Sequence, residues 1–349
     1  RLGLDRPEIH VSGLDRPNLF LEVAYCPDEN YRWRRLIALL DANPGPGIVY
    51  VATRKAAEEL AERLQTAGYQ AEYYHGGMAT GLREERHEAF TADKIDIMVA
   101  TSAFGMGIDK PNIRWVAHVA LPDSPDSYFQ EIGRAGRDGE QAQALLLWRS
   151  EDEAIQRFFN GGSPDLDELR ELAANLRGGP KTRTKLKELT GLGPRKLGQY
   201  LGLLEQVGAA VAGAANKMTV PPFAPLPAAA SQAAADEHER QQLVTRSRTD
   251  MMRAFAQARG CRTQTLLAYF GEKQKKPCGH CDNCVSGEAP PAEPTDEPFA
   301  VHSRVQHAEW GAGMVMGYEE ERMTVLFDSQ GYKTLSVPVV LENNLLTAE

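Results

Sequence analysis

The stretch Tyr128-Phe-Gln-Glu-Ile-Gly-Arg-Ala-Gly-Arg-Asp-Gly139 sets two arginines three positions apart in a glycine-broken turn after an apolar segment. At that spacing Arg134 and Arg137 would share one side of a helix start, and Gly133 and Gly136 would leave the backbone bare enough for a phosphate to approach. The arginine fork stays charged and binds phosphate oxygens bidentately. An arginine delivered from a neighbouring domain can therefore stabilise charge that develops in phosphoryl transfer. A surface turn with two solvated arginines explains this stretch alone equally well, so its neighbours decide.

Upstream stand Gly47-Ile-Val-Tyr-Val-Ala-Thr-Arg54, Tyr73-Tyr-His-Gly-Gly-Met78 and Ile95-Asp-Ile-Met-Val-Ala-Thr-Ser-Ala-Phe-Gly-Met-Gly-Ile-Asp-Lys-Pro-Asn112. Short apolar runs at 48–52, 71–74, 95–100, 116–121 and 144–148 read as strands, and 54–66 and 80–90 as helices. Strand and helix in alternation imply an α/β fold, a parallel sheet with helices on both faces. Ligands of such sheets sit beyond the carboxyl ends of the strands. Thr53-Arg54, His75-Gly76-Gly77, Thr101-Ser102 and the arginine turn are all expected there. Hydroxyls and backbone N–H groups at strand-to-helix turns suit DNA phosphates, which makes Thr53, Arg54, Thr101 and Ser102 candidate contacts. Asp109 reads equally as a ribose-hydroxyl acceptor or a capping carboxylate. His75 reads as a turn-satisfying residue, and Trp115, Tyr128 and Phe129 as core.

Taken in order, these blocks resemble motifs IV, V and VI of superfamily-two helicases. The wording Ala103-Phe-Gly-Met-Gly-Ile-Asp-Lys-Pro111, followed by the arginine stretch, resembles the RecQ family specifically. The resemblance covers about Leu14 to Phe159, with a second block at Arg240 to Cys284. It implies a second RecA-like helicase lobe in which motifs IV and V hold DNA. Gly107, Asp109 and Gln130 would border the nucleotide with Arg134 and Arg137, and Arg137 would be the arginine finger. Residues 1–18 then read as the connector between two lobes and 19–160 as the lobe itself.

The sequence has no Gly-x-x-x-x-Gly-Lys-Ser/Thr loop to cradle a triphosphate and its Mg²⁺. Ala235-Asp-Glu-His238 mimics a helicase magnesium motif, but it stands in an alanine-rich polar run that should begin a helix rather than end a buried strand. The chain is thus expected to be a fragment, inactive until joined to a first lobe that binds ATP and Mg²⁺. No apolar run approaches a membrane span, which argues against a membrane partner and for a cytoplasmic, nucleoid-associated protein.

The net charge of -9 argues against indiscriminate coating of nucleic acid, yet positive charge is concentrated in two islands. Residues 177–196 hold seven Lys or Arg against Glu188, and 240–276 hold nine against Asp250 and Glu272. The first island lies within a pattern of three helices and a hairpin over 163–220. Helical stripes run through Leu166, Leu169, Leu172 and Leu176, through Leu186 and Leu189, and through Leu197, Leu201 and Leu204. That pattern is a winged-helix-like domain, with Arg183, Lys185, Lys187, Arg195 and Lys196 as candidate DNA contacts, or a domain that props the lobe. Its place before the cysteines departs from the usual RecQ order, so no strand-separating hairpin is carried over to any residue. Residues 221–235, rich in Pro and Ala, read as a linker.

Cys261 and the triplet Cys278-Gly-His-Cys-Asp-Asn-Cys284 offer four thiolates, the first separated by sixteen residues from a Cys-x-x-Cys-x-x-Cys cluster. Zn²⁺ prefers such a set, with a disulfide or an iron-sulfur cluster as the minor alternatives. Arg262-x-x-x-Leu-Leu-x-Tyr-Phe-Gly-Glu272 ahead of the triplet resembles the RecQ zinc module, read over 236–286. His280 is expected in the loop rather than on the metal, and Cys26 buried and inert.

After a Pro- and Glu-rich tether, 287–299, short strands around His307, Trp310-Gly-Ala-Gly313 and Met323-Thr-Val-Leu-Phe-Asp328 resemble the Tudor or SH3-like barrel of UvrD-type helicases over 300–349. The whole is expected to be a RecA-like parallel-sheet lobe, a small winged-helix domain, a helical four-cysteine zinc module and a small all-β SH3-like barrel. The function implied is that of the C-terminal part of a RecQ-like ATP-dependent 3′-to-5′ DNA helicase in DNA repair or recombination. It would act on single-stranded or duplex-junction DNA, with a protein partner open to the barrel. The competing reading is a stand-alone DNA-binding adaptor with an inactive motor lobe.

Overall fold

A computed structural model describes residues 13–105, 109–149, 151–152, 163–213, 217–270, 272, 274, 276–287, 298–299, 303–319 and 322–348. The chain divides into two units. The first comprises Arg1–Gln156, Ser247–Asp328 and Tyr332–Glu349, and the second Arg157–Arg246 with Ser329–Gly331.

The first unit opens with β1 (Leu19–Tyr25), α1 (Glu29–Ala42), β2 (Gly47–Tyr50), α2 (Arg54–Thr66), β3 (Ala71–Tyr74), α3 (Thr80–Thr91), β4 (Ile97–Ala100), β5 (Trp115–His118), α4 (Pro125–Ile132) and β6 (Ala142–Trp148). Local chemistry sets the helix starts. Asp28, Thr53 and Ser124 each accept a backbone N–H three residues on, and Pro125 follows Ser124 where its missing N–H costs nothing. The six strands are parallel in the order β1-β6-β5-β2-β4-β3. The central strands β2, β4 and β5 are buried along their whole length, because helices cover both faces and leave no solvent side for alternation. Ile48, Met98 and Val116 pack on one face, and Val49, Val99 and Ala117 on the other.

β1 and α1 were not expected as elements of the sheet. β1 is the edge strand of the sheet beside β6, and its mixed burial carries neither a clean alternation nor a continuous apolar run.

The second unit holds α5 (Leu166–Arg177), β7 (Lys181–Thr182), α6 (Arg183–Thr190), α7 (Pro194–Gln206), β8 (Val211–Ala212) and β9 (Lys217–Thr219). It also contains the start of the long α8 (Pro227–Gln257). Its three strands run in the order β7-β9-β8, antiparallel, against three helices. Leu169, Leu172, Leu186, Leu201 and Leu204 fill its core, as the stripes required. The expectation of a linker over 221–235 is corrected. The chain is helical from Pro227, because Ala230 and Ala234 are small enough to sit fully buried in that core. Ala235-Asp-Glu-His238 lies inside this helix, as expected of a decoy.

The first unit resumes with α9 (Arg262–Tyr269) and α10 (Asp282–Ser286), which flank the cysteines. A five-stranded sheet ends it, made of β10 (Arg304–His307), β11 (Gly311–Glu319), β12 (Arg322–Phe327), β13 (Gly331–Ser336) and β14 (Leu346–Ala348), with α11 (Val337–Glu342) before the last strand. The order is β13-β12-β11-β10-β14, around Val305, Val315, Val325 and Phe327. His307 fixes the first turn by accepting the Glu309 and Trp310 N–H groups at 3.1 Å each, and its ring stacks on Trp310. The tether expected at 287–299 falls mostly outside the described residues. Even so, Ser247 Oγ donates to the Phe327 carbonyl, and Met314 and Met316 face Met251, Leu266 and Tyr269. No helix among the described residues is long and apolar enough to cross a membrane.

Gly47 tests how tightly the lobe packs. A Cβ built there would come within 2.0 Å of the fully buried Trp115 ring. Gly47→Ala is expected to destabilise the protein by about 1–3 kcal/mol, read as a lower midpoint in chemical denaturation. An unchanged midpoint would contradict this packing.

Candidate functional site

Two rims of the parallel sheet carry the expected residues. At the carboxyl rim, Thr53 follows β2, His75 follows β3 and Thr101 follows β4. Thr53 Oγ1 is already engaged as the cap of α2, accepting the Ala56 N–H at 3.1 Å. Arg54 and Ser102 are exposed, and the Arg54 guanidinium lies so close to Gly77 that a Cβ there would meet it at 2.7 Å. His75 is buried. Its Nδ1 accepts the Gly77 N–H at 3.2 Å, which leaves Nε2 to donate to Glu58 at 2.9 Å. It closes the turn, as its sequence context suggested.

The arginine turn lies at the opposite rim, which corrects the expectation that it would join the others. α4 starts beyond the carboxyl end of β5 and returns the chain to the amino end of β6, so whatever follows α4 must sit at the amino edge. Arg134 and Arg137 accordingly come after a helix and not at the start of one. The Gly136 N–H donates to Ile113 just before β5, and the Asp138 N–H to Pro111.

The turn is pinned by residues the sequence did not single out. Arg16 donates to the carbonyls of Ala135 at 2.9 Å and Gly136 at 2.8 Å, and Asn18 Nδ2 donates to those of Gly136 and Glu140 at 2.8 Å. Gly136 has φ 61°, and a Cβ would strike Asn18 at 2.6 Å. Arg114 grips the Asp138 carboxylate at 2.7 and 2.5 Å, and its hydrogen bonds hold that carboxyl below its usual range. The missed signal was Arg16-Pro-Asn18 in a segment read only as connector.

The two arginines have different fates. Arg134 is buried beneath the 102–105 loop, with Nη2 3.1 Å from the place of a Cβ on Gly105. It also interacts with Tyr50, whose phenol is pushed up by burial and donates to the Phe104 carbonyl. Arg137 is partly exposed and meets Asp109 at 3.2 Å, the side chain of Asp109 being almost fully open. The structure thus brings Arg137 and Asp109 together, as expected, and withdraws Arg134 into the lobe. Gln130 is exposed on α4 and lines a cavity of about 410 Å³ with Leu14, Arg16, Gly133 and Leu266. Gly107 lies outside the described residues.

The four thiols of Cys261, Cys278, Cys281 and Cys284 converge, all sulfurs lying within 4.8 Å of one another. A tetrahedron of thiolates at about 2.3 Å from zinc has sulfur-sulfur edges of about 3.8 Å, and Cys278 and Cys284 stand 3.9 Å apart. N–H groups of Arg262, Cys278 and His280 point at three of the sulfurs at 3.2–3.4 Å, as thiolates require. A hydrogen bond from Cys261 holds the Cys281 thiol well below its usual range. His280 turns Nδ1 to the Cys278 carbonyl and is no ligand. The set fits a structural Zn²⁺, which would be held by these four residues and would tie α9 to the 278–284 loop. Cys26 is fully buried, and burial pushes its thiol up to about 11, so it is inert as expected.

This module is built into the lobe. Cys281 bridges to Leu21 of β1, and Asp282 Oδ2 accepts the Val23 N–H at 2.9 Å. Buried Arg262 binds Asp282 at 3.0 Å, the Phe255 carbonyl at 2.8 Å and Asn283 at 3.3 Å. Tyr269 hydrogen-bonds Asp126 in the first turn of α4 at 2.5 Å, and Phe270 packs on Phe129. Arg262 is therefore internal, and Arg240 and Arg253 are paired with Glu237 and Asp250, so the second basic island offers less free charge than its sequence suggested.

In the second unit, Lys185 and Lys196 are matched by Glu188 at 3.0 Å and Glu168 at 2.5 Å. Arg183, Lys187 and Arg195 are exposed on α6 and at the start of α7. All five expected DNA-facing cations are thus at the surface, two of them in exposed ion pairs.

Residues 31–139 match the model of the helicase conserved C-terminal domain, and residues 228–285 match RecQ zinc-binding. The second match begins within the segment first read as a linker. The chain is 33% identical over 243 residues to the ATP-dependent DNA helicase RecQ of Bacillus subtilis, covering 70% of this chain and 29% of that one. It is 40% identical over 156 residues to the probable ATP-dependent DNA helicase RecS of the same organism (44% and 32%). It is 30% identical over 297 residues to a Synechocystis ATP-dependent DNA helicase RecQ (82% and 59%). The chain spans less than two thirds of the length of each of these relatives.

Loss of the metal should be felt in the sheet. Chelation of Zn²⁺, or Cys281→Ser, is expected to lower the thermal midpoint and to speed amide hydrogen exchange at Val23 and its β1 neighbours, because Asp282 would no longer be held against the strand. Unaltered exchange in β1 after complete zinc removal would contradict this coupling.

Proposed function

This chain is a C-terminal portion of a RecQ-family helicase, and from that premise we propose that it is the second motor lobe and DNA grip of an ATP-dependent 3′-to-5′ DNA helicase. The observation that carries the reading is the pinned arginine turn. Arg16, Asn18 and Arg114 fix a loop from which Arg137 reaches outward to the exposed carboxylate of Asp109. A group that must stabilise charge in a transition state has to be positioned beforehand, and a turn anchored at three points does that.

The sequence has no phosphate-cradling lysine loop of its own, so the triphosphate would be held by another segment. ATP and Mg²⁺ supply the phosphoryl chemistry when bound. Arg137 then exchanges Asp109 for phosphate oxygen and stabilises the charge developing there, while Asp109 is released to accept a ribose hydroxyl. Arg134, buried against Tyr50 and the 102–105 loop, acts as a positioning residue that ties the DNA-facing loop to the arginine turn. Gly107 and Gln130 complete the nucleotide border. Thr53, Arg54, Thr101 and Ser102 take DNA phosphates at the carboxyl rim, and Arg183, Lys187 and Arg195 take them on the winged-helix-like domain. The C-terminal five-stranded sheet is left for a protein partner, and DNA binding implies a cytoplasmic, nucleoid-associated residence.

Joined to a lobe that supplies the lysine loop, Arg137→Ala is expected to cut DNA-stimulated kcat by about 10³-fold or more with zinc content and DNA affinity unchanged. A rate within a few-fold of the parent enzyme would refute the assignment. Separately, alanine at Arg183, Lys187 and Arg195 together should weaken DNA binding and flatten its salt dependence by about 0.7 per lost phosphate contact. A salt slope identical to that of the parent would remove these three from the interface.

A further inference from the structure

Pro221-Pro-Phe-Ala224 forms a turn, closed by the Ala224 N–H donating to the Pro221 carbonyl at 3.3 Å. Phe223 stands at the third position with φ 64°, and its relative exposure is 103%. That position wants glycine or asparagine when φ is positive. A bulky aromatic there carries backbone strain and forgoes burial of its ring. Among the described residues nothing packs on the Phe223 ring to repay either penalty. The turn is nonetheless held firmly. Arg177 donates to the Ala224 carbonyl at 3.0 Å and the Pro225 carbonyl at 2.9 Å, Val220 packs against the core before it, and α8 begins at Pro227 after it. Prolines at 221, 222 and 225 remove most of the remaining backbone freedom.

A strained residue kept rigid and fully exposed is characteristic of a functional site. Its surroundings are cationic: exposed Arg177 sits on the turn itself through the Ala224 and Pro225 carbonyls, and the Lys181 ammonium lies at the same end of α5, on the carbonyls of Asn175 at 2.6 Å and Gly179 at 3.2 Å. A flat apolar ring on a fixed stalk held by a cationic helix end has the two parts of a single-strand site, a stacking platform and a backbone-attracting rim. We propose that Phe223 is a base-stacking site for single-stranded DNA. The site rests on the reading of the second unit as a DNA-binding domain and adds to it the residue that engages an unpaired base. Stacking needs no hydrogen-bond pattern, so the site would tolerate any base.

The test uses the full zinc-loaded chain and two labelled oligonucleotides of equal length, one of mixed sequence and one abasic throughout, with binding read by fluorescence anisotropy. Phe223→Ala is expected to weaken binding of the mixed strand by about 5- to 150-fold, Phe223→Trp to stay within a few-fold of the parent, and the abasic strand to bind all three alike. Because the ring is fully exposed, Phe223→Ala should melt where the parent does, and Phe223→Gly no lower, since glycine relieves the positive φ. If the parent binds the mixed strand and Phe223→Ala binds it equally, the stacking site is overturned while DNA binding by the domain stands, and the ring is left for a protein surface. An equal loss on the abasic strand would also overturn it, as a change in the turn and not in stacking. A parent chain that binds neither strand at low salt would remove the DNA-binding reading itself, and the site with it.

Discussion

The buried ion pair between Arg262 and Asp282 is the contact on which the first unit depends. Arg262 collects the last carbonyls of α8, the carboxylate of Asp282 and the amide of Asn283, and Asp282 spends its second oxygen on the Val23 N–H of the sheet. Removing one partner of such a pair leaves a charge stranded out of water, at a cost of about 3–5 kcal/mol. The geometry also explains why a metal is needed. The 278–284 loop contributes little apolar surface, and four thiolates on one ion supply the closure that a core of that size cannot. Leu266, Cys261 and Cys281 then join Leu21 and Ile132 in one continuous core, so the cysteine module is part of the lobe and not an appendage tethered to it.

A second constraint comes from chain topology. In a parallel sheet every crossover helix carries the chain from the carboxyl end of one strand to the amino end of the next. Residues directly after strands therefore gather at one rim, and residues directly after helices at the other. The groups proposed for DNA follow strands β2 and β4, while the arginine turn follows α4. Phosphate binding and arginine presentation are thereby separated across the thickness of the lobe. Arg134 spans that distance from inside, reaching from the amino edge to the loop that follows β4.

Much of this was legible in the sequence. The central strands, the helices α2 and α3, the leucine stripes of the second unit and the four thiols all follow from period or ligand spacing. What escaped has definite physical reasons. β1 is an edge strand with mixed burial, so it lacks the signature of a buried strand. The start of α8 looked like a linker because alanine reads as filler until a packed neighbour makes its small size useful, as at Ala230 and Ala234. Charge was overcounted because sequence cannot tell a solvated cation from one already matched, as Lys196 is by Glu168 and Arg262 by Asp282. Arg16 and Asn18 were invisible as pins because their partners are carbonyls more than a hundred residues away.

These constraints meet at α4. The turn just beyond its carboxyl end is held by Arg16, which donates to the carbonyls of Ala135 and Gly136. Its first turn is braced by Tyr269 through Asp126, and its flank by Phe270 on Phe129 and Phe255 on Tyr128. A helix this short has little stability of its own, so the direction in which it delivers the arginine turn is set by those braces. Two of the braces, Tyr269 and Phe270, belong to the segment that Cys261 anchors to the metal. The zinc cluster therefore acts at a distance as a buttress, and its loss would loosen α4 before it disturbed any strand at the centre of the sheet.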